Sequence, residues 1–170
     1  MKKPLIALVL LAGCGPAGPG KDAAGANGAS PEAAARETGG QAVATARLTG
    51  LYEGGRAGQP DQLCVVERGA GDARFGIIVW GANLHSCSGA GEAVREGGRL
   101  RLRMAGDEAC EVEARIAGGT VTLADTIPEG CAYYCGARAR FEGAVLTRRG
   151  SGVGDAMKAK DLVGDPLCEG

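Results

Sequence analysis

Residues 99–104 read Arg-Leu-Arg-Leu-Arg-Met, and this strict alternation constrains the fold more than any other feature of the chain. Successive side chains of an extended strand point to opposite faces. Leu100, Leu102 and Met104 therefore face one way, and Arg99, Arg101 and Arg103 the other. Residues 110–116 repeat the pattern, with Val112, Ala114 and Ile116 inward and Glu111, Glu113 and Arg115 outward. Residues 120–124 place Val121 and Leu123 on one face. Further strands are expected over 46–53, with Leu48 and Tyr52, over 62–68, and over 74–82, with Phe75, Ile77 and Val79 on one face. A weaker one is expected over 91–95, and a last over 139–147 with Phe141 and Val145 as anchors. Short turns rich in glycine, at Gly97-Gly98, Gly106 and Gly118-Gly119, suit hairpins. The expected fold is all-β: an antiparallel meander of about eight strands closed into a small barrel, which leaves no open edge. A two-sheet sandwich is the alternative. The arginines of 99–103 neighbour Glu111 and Glu113 across the Gly106 turn, an arrangement that fixes register. A short C-terminal helix is expected over 156–163, packed on the barrel through Ala156, Ala159 and Val163. Asp155 would cap it, and Gly164 and Pro166 would end it.

The first residues have a different character. Lys2 and Lys3 precede an apolar run over 5–12, far short of the about 20 residues that cross a bilayer, so residues 1–13 read as a cleaved export signal. Leu11-Ala12-Gly13-Cys14 resembles a lipobox, the motif of bacterial lipoproteins. Small residues at 12 and 13 admit a peptidase, and Cys14 supplies the only side chain that can become a thioether. The resemblance implies that Cys14 becomes the lipidated N-terminus and the partner of a membrane; each buried methylene then contributes about 0.8 kcal/mol. It also implies, from Gly15 in place of aspartate, an outer-membrane protein facing the periplasm. Residues 14–44 follow as the lipidated cysteine and a tether. From 15 to 42 there is no Val, Ile, Leu, Met, Phe, Tyr or Trp, too little apolar surface to offset ordering entropy. A flexible coil of this length spans about 30 Å. Residues 45–149 are the expected barrel domain and 150–170 the helix and tail.

The whole chain has 19 basic and 20 acidic residues, and removal of Lys2 and Lys3 makes it more acidic. With no basic stripe to release counterions, nucleic acid is excluded as a partner.

The chain's only aromatics are Tyr52, Phe75, Trp80, Tyr133, Tyr134 and Phe141, so a domain of this size gains from covalent staples. Beyond Cys14 there are Cys64, Cys87, Cys110, Cys131, Cys135 and Cys168. Their even number, in an exported protein, reads as disulfides. In a meander the start of one strand lies near the start of the next but one, which favours Cys87 with Cys110. Cys131 and Cys135 would close a small loop. Cys64 with Cys168 would then tie the tail to the second strand. Zinc is the rival reading, since the Cys131/Cys135 spacing suits a metal site. A second close pair is missing, and His85 is the only histidine. No metal and no cofactor is expected.

Residues 128–136 hold the candidate binding residues. Tyr133 and Tyr134, set between Cys131 and Cys135, offer rigid amphipathic surface to an envelope protein or glycan. The plainer role for one of them is to plug the barrel end. A catalytic reading rests on Asn83-Leu84-His85-Ser86-Cys87-Ser88-Gly89, where a base and nucleophiles share a loop. Neighbours on an extended chain point apart, however, and a Gly-x-Ser-x-Gly elbow is absent. No catalytic residue is assigned.

The layout of lipobox, tether, glycine-punctuated strands and cysteines resembles the small disulfide-stapled barrels of bacterial envelope lipoproteins, among them the lysozyme-inhibitor lipoproteins. Thr49-Gly50-Leu51-Tyr52 is one residue shorter than the inhibitors' Ser-Gly-x-x-Tyr pattern, so no inhibitory residue carries over. Gly130-Cys131-Ala132-Tyr133-Tyr134-Cys135-Gly136 and Asp161-Leu162-Val163-Gly164-Asp165-Pro166-Leu167-Cys168 look like a lipoprotein family with no assigned activity. The resemblance brings no activity with it; the expected function, read from the barrel rim and the Tyr133/Tyr134 loop, is a non-catalytic, membrane-anchored binding module. A structural or assembly lipoprotein, or a lysozyme-inhibitor-like protein, is the alternative.

Overall fold

The computed structural model describes residues 46–106 and 109–168. The chain divides into Met1–Ala42 and Val43–Gly170. Cys14, the lipobox and the tether lie outside the described residues.

Eight strands form one closed antiparallel barrel in chain order, and β8 pairs back onto β1. They are β1 Gly50–Arg56, β2 Gln59–Glu67, β3 Asp72–Trp80, β4 Ser86–Glu96, β5 Arg99–Met104, β6 Glu111–Ala117, β7 Thr120–Leu123 and β8 Val145–Ser151. The interior is filled by Tyr52, Leu63, Val65, Phe75, Ile77, Leu100, Leu102, Val112, Val121, Leu123 and Leu146. The alternation of residues 99–104 appears as expected, with Leu100, Leu102 and Met104 buried in the core. Arg103 faces Glu111 and pairs with it at 3.2 Å, whereas Arg101 faces Glu113 but pairs with Glu96 at 2.6 Å. These surface pairs contribute at most about 1 kcal/mol each. Charge outside and apolar side chains inside is the reverse of a membrane-spanning barrel. Among the described residues no helix is long and apolar enough to cross a membrane.

Three expected elements are displaced. β1 starts at Gly50, later than expected, because residues before it close the lower end of the barrel. Leu48 is buried there, and Tyr52 Oη donates to the Leu48 carbonyl at 2.8 Å. β4 runs for 11 residues rather than the short stretch 91–95. Its inward positions before Ala93 are Cys87, Gly89 and Gly91, and such small residues carry no hydrophobic signal. They make room: a Cβ on Gly89 would come within 2.7 Å of Met104 Sδ and 3.2 Å of the Tyr134 ring. The last strand begins at Val145, so of the strand expected over 139–147 the first part, 139–144, is irregular chain and a turn. There Phe141, only 1% exposed, enters the core as a plug instead of a strand residue.

The C-terminal segment covers the outer face of β1, β2 and β3. A second apolar cluster joins Leu51, Cys64 and Ile78 to Ala156, Ala159, Leu167 and Cys168. The expected helix over 156–163 is only the turn α1, Val153–Ala156, with Asp155 inside it and Gly152 at its N-cap. The helix stops because the following backbone is engaged elsewhere. Leu167 N donates to the Ala159 carbonyl at 3.0 Å, and Lys160 N to Gln62 Oε1 at 3.1 Å. Val163, expected to pack inward, is 81% exposed. Gly164 does take the left-handed conformation, with φ +93°. Gly76 lets the tail lie flat, since a Cβ there would meet the Leu167 carbonyl oxygen at 2.3 Å.

Arg148 seals the lower end. Its guanidinium lies 4.9 Å over the Tyr52 ring and donates to the Tyr52 hydroxyl and to the Thr49 and Arg47 carbonyls. Burial pushes the Tyr52 pKa above the ordinary value of about 10, and Arg148 opposes that shift. The unfolded chain therefore loses this proton before the folded one does. Tyr52 leaves stability unchanged below about pH 10 and withdraws it as pH rises from there through the raised folded pKa. Denaturation midpoints across alkaline pH should fall more steeply for the parent than for Tyr52→Phe; parallel curves would contradict this assignment.

Candidate functional site

The upper end of the barrel gathers the loops that connect β3 to β4, β5 to β6 and β7 to β8. Residues 124–144, between β7 and β8, cross the barrel mouth instead of turning back tightly. They are anchored by Phe141 in the core and by a 3₁₀ turn over Glu129–Tyr134.

All six described cysteines form bridges: Cys64–Cys168, Cys87–Cys135 and Cys110–Cys131. The first is the pairing expected from sequence. The other two correct the expectation that Cys87 joins Cys110 and Cys131 joins Cys135. The starts of β4 and β6 do lie at one end of the barrel, as the meander argument requires. The crossing loop, however, passes both of them, and its 3₁₀ turn separates Cys131 from Cys135. Cys131 meets Cys110 before β6, and Cys135 meets Cys87 in β4. With these sulfurs bonded to one another, the Cys131/Cys135 pair is not half of a zinc site. Among the described residues no group of three or more His, Cys, Asp or Glu is placed to hold a metal.

The two tyrosines divide the roles weighed from sequence. Tyr134 is half-buried, its ring lies over Gly89, and its hydroxyl donates to the Ala105 carbonyl at 3.0 Å. Tyr133 is 85% exposed and stands perpendicular to Tyr134, with ring centroids 5.4 Å apart. One tyrosine thus packs at the barrel mouth while the other presents its ring to solvent. The turn beneath them is fixed on both sides by a disulfide and by the backbone bond from Gly136 N to the Ser86 carbonyl at 2.9 Å.

His85 lies beside this turn, its ring close enough to Gly136 that a Cβ there would be 2.8 Å from Nδ1. Ser86 and Ser88 belong to the outward face of β4, because Cys87 between them points inward. Among the described residues of this loop, His85 is not hydrogen-bonded to either serine. A surface groove of about 550 Å³ lies on the barrel side, bordered by Arg74, Glu92, Arg103 and Pro166. Its charges alternate in sign across neighbouring strands, Arg74 facing Glu92 and Glu92 facing Arg103.

Sequence reasoning missed Leu84. It is 74% exposed, and its backbone lies in the left-handed region at φ 61°, directly after Asn83 at φ 54°. An apolar residue within a polar loop was the available signal. Comparisons with protein families, curated proteins and solved structures find nothing that matches this chain.

Proposed function

We propose that this chain is a bacterial envelope lipoprotein, anchored through lipid on Cys14, whose barrel is a non-catalytic binding module for an envelope protein or glycan. The carrying observation is Tyr133: a ring 85% exposed on a turn held between Cys110–Cys131 and Cys87–Cys135. An aromatic ring on a braced turn loses little entropy when a partner covers it, so its apolar area is available for affinity. The filled interior argues against a ligand carried inside the barrel.

The anchor and the module are tested separately. Metabolic labelling with an alkyne fatty acid should mark the native protein and fail for Cys14→Ser, which should also leave the membrane fraction. A parent chain without label would refute the anchor. For the module, a photo-crosslinking phenylalanine analogue at position 133 should trap a defined envelope partner. Tyr133→Ala should then weaken binding to that partner by about 30-fold, the scale of an aromatic hot spot, without changing the melting temperature. Equal affinity of parent and Tyr133→Ala would refute the role of the loop. Tyr134→Ala is the less informative variant because Tyr134 also packs at the barrel mouth.

A further inference from the structure

The lower end of the barrel is made of three tight hairpins and the point where the chain enters. β2 turns into β3 over 68–71, β4 into β5 at Gly97-Gly98, and β6 into β7 at Gly118-Gly119. Turns this short and this rich in glycine carry few large side chains, so the outermost groups are the arginines beside them. Arg47, Arg68, Arg99, Arg115 and Arg149 are all exposed. They come from five separate stretches of sequence. Among the described residues none of the five pairs with a carboxylate. Arg99 faces Arg115 across β5 and β6, a like-charged pairing that opposes the sheet instead of supporting it. A local cost of this kind persists where the charge has another use.

The carboxylates near this end do not cancel that charge. Glu96 pairs with Arg101 at 2.6 Å and Asp155 with Lys158 at 2.5 Å. Glu67 accepts from Thr49 Oγ1 at 3.2 Å, and Asp72 is exposed. Glu113, two residues further up β6 than Arg115, faces Arg101. The upper end is different. There Arg56, Arg138 and Arg140 are matched by Asp125, Glu129 and Glu142, all of them exposed. Asp107 and Glu108 also belong, by sequence, to the connection between β5 and β6. The barrel is therefore polar along its axis, with positive charge in excess where the chain enters. Two further arginines fix that entry. Arg95 Nη1 donates to the Ala46 carbonyl at 2.6 Å, and Arg148 donates to the Thr49 carbonyl at 3.3 Å and to the Arg47 carbonyl.

We infer that the lower end is an electrostatic docking face for an anionic leaflet, the one that seats the lipid on Cys14. The inference rests on the anchored reading. Two observations name the leaflet as occupant: the excess of unpaired arginine, and the chain leading to Cys14, which leaves the barrel from the same face. Each arginine near an anionic surface raises partitioning about fivefold, an effect that fades beyond a Debye length of about 8 Å. A tether raises the effective concentration of such a face at the surface to the millimolar range. Residues 15–45 have a contour length of about 100 Å, so the tether alone does not hold the barrel close or upright. The arginines do both. The opposite end then points away from the membrane, and the Tyr133 rim stays open to its own partner.

Tryptophan quenching tests the inference. The chain from Cys14 onward is coupled through the Cys14 thiol to a maleimide lipid in phosphatidylcholine vesicles containing phosphatidylglycerol and a lipid with a nitroxide on its headgroup. This supplies the tether whether or not cells lipidate that residue. In a Trp80→Phe background, Ala70→Trp, in the exposed turn between β2 and β3, should be quenched several-fold more than Ala132→Trp on the exposed upper rim. Ala117→Trp, also exposed at the lower end, gives the same reading if Ala70→Trp folds poorly. Omitting phosphatidylglycerol should abolish the difference. So should about 1 M salt, where the Debye length is about 3 Å, and replacement of the five exposed arginines by glutamine. Equal quenching at the two ends overturns the docking face and leaves its arginines to a soluble anionic partner, with the anchor standing. A difference that survives both salt and the loss of phosphatidylglycerol overturns it as well. An unlipidated Cys14 in native material overturns the anchor and leaves this measurement unaffected.

Discussion

The double substitution Cys64→Ala, Cys168→Ala is expected to lower the unfolding free energy by about 3–5 kcal/mol, the largest effect of any bridge in the molecule. The two cysteines are 104 residues apart, against 48 and 21 for the other pairs. The entropy that a cross-link removes from the unfolded chain grows with the loop it closes, reaching about 4.7 kcal/mol near 100 residues. The bridge also holds Leu167 and the α1 segment over Leu51 and Ile78, so its loss frees the second apolar cluster. In a domain of this size the melting temperature should fall by roughly 10–20 °C. Urea denaturation should show a lower midpoint together with a steeper slope, because the unfolded state without the bridge is more expanded. A loss below about 1 kcal/mol would mean that the tail contributes little and that the bridge closes an already ordered contact.

Phe141→Ala is expected to cost about 3–5 kcal/mol, the usual range for removing a buried aromatic. Phe141 is the large side chain by which the crossing loop enters the barrel mouth, and it is one of the few aromatics in the core. The adjoining backbone cannot easily follow a collapse. Gly143 N is bonded to the Ala124 carbonyl at 3.1 Å and Leu123 N to the Ala144 carbonyl at 2.9 Å. A cavity should therefore remain, and Phe141→Leu, which leaves less of one, should cost clearly less. Hydrogen exchange should separate this effect from general weakening. Amides of Glu129–Tyr134 should gain exchange more than those of β5 and β6, because the plug holds the loop that carries Tyr133. Uniform acceleration across the barrel would show instead that Phe141 supports the whole core equally.

The bridge of the first prediction is the pairing expected from sequence, whereas the plug of the second was seen only in part. Phe141 was legible as buried, but not as a plug. A bulky residue between Ala139 and Val145 satisfies the alternation of a strand as well as it satisfies a turn that dips into the core. β4 was underread for the opposite reason: its inward glycines contribute space, which Met104 and Tyr134 fill from elsewhere. At the candidate site the sequence marked the tyrosine loop but not which ring would be free, because that depends on Gly89 lying beneath Tyr134. Leu84 was passed over because its one signal, an apolar residue in a polar loop, does not say that the side chain faces solvent from a left-handed backbone.

What the sequence determined by itself is the class of fold. Alternating apolar residues, with glycine at the turns, require two-faced strands and short antiparallel connections, and an even set of cysteines is available for bridging. These are local properties, set by the period of the backbone and by the residues that turns demand. Tertiary structure alone decided the partners of four of the six bridged cysteines and the meeting of the Leu84 and Tyr133 loops on one rim. Each of these depends on which distant segments come within a few ångströms once the core is packed. The periodicity of a strand says which way a side chain faces, and nothing about what will be waiting there.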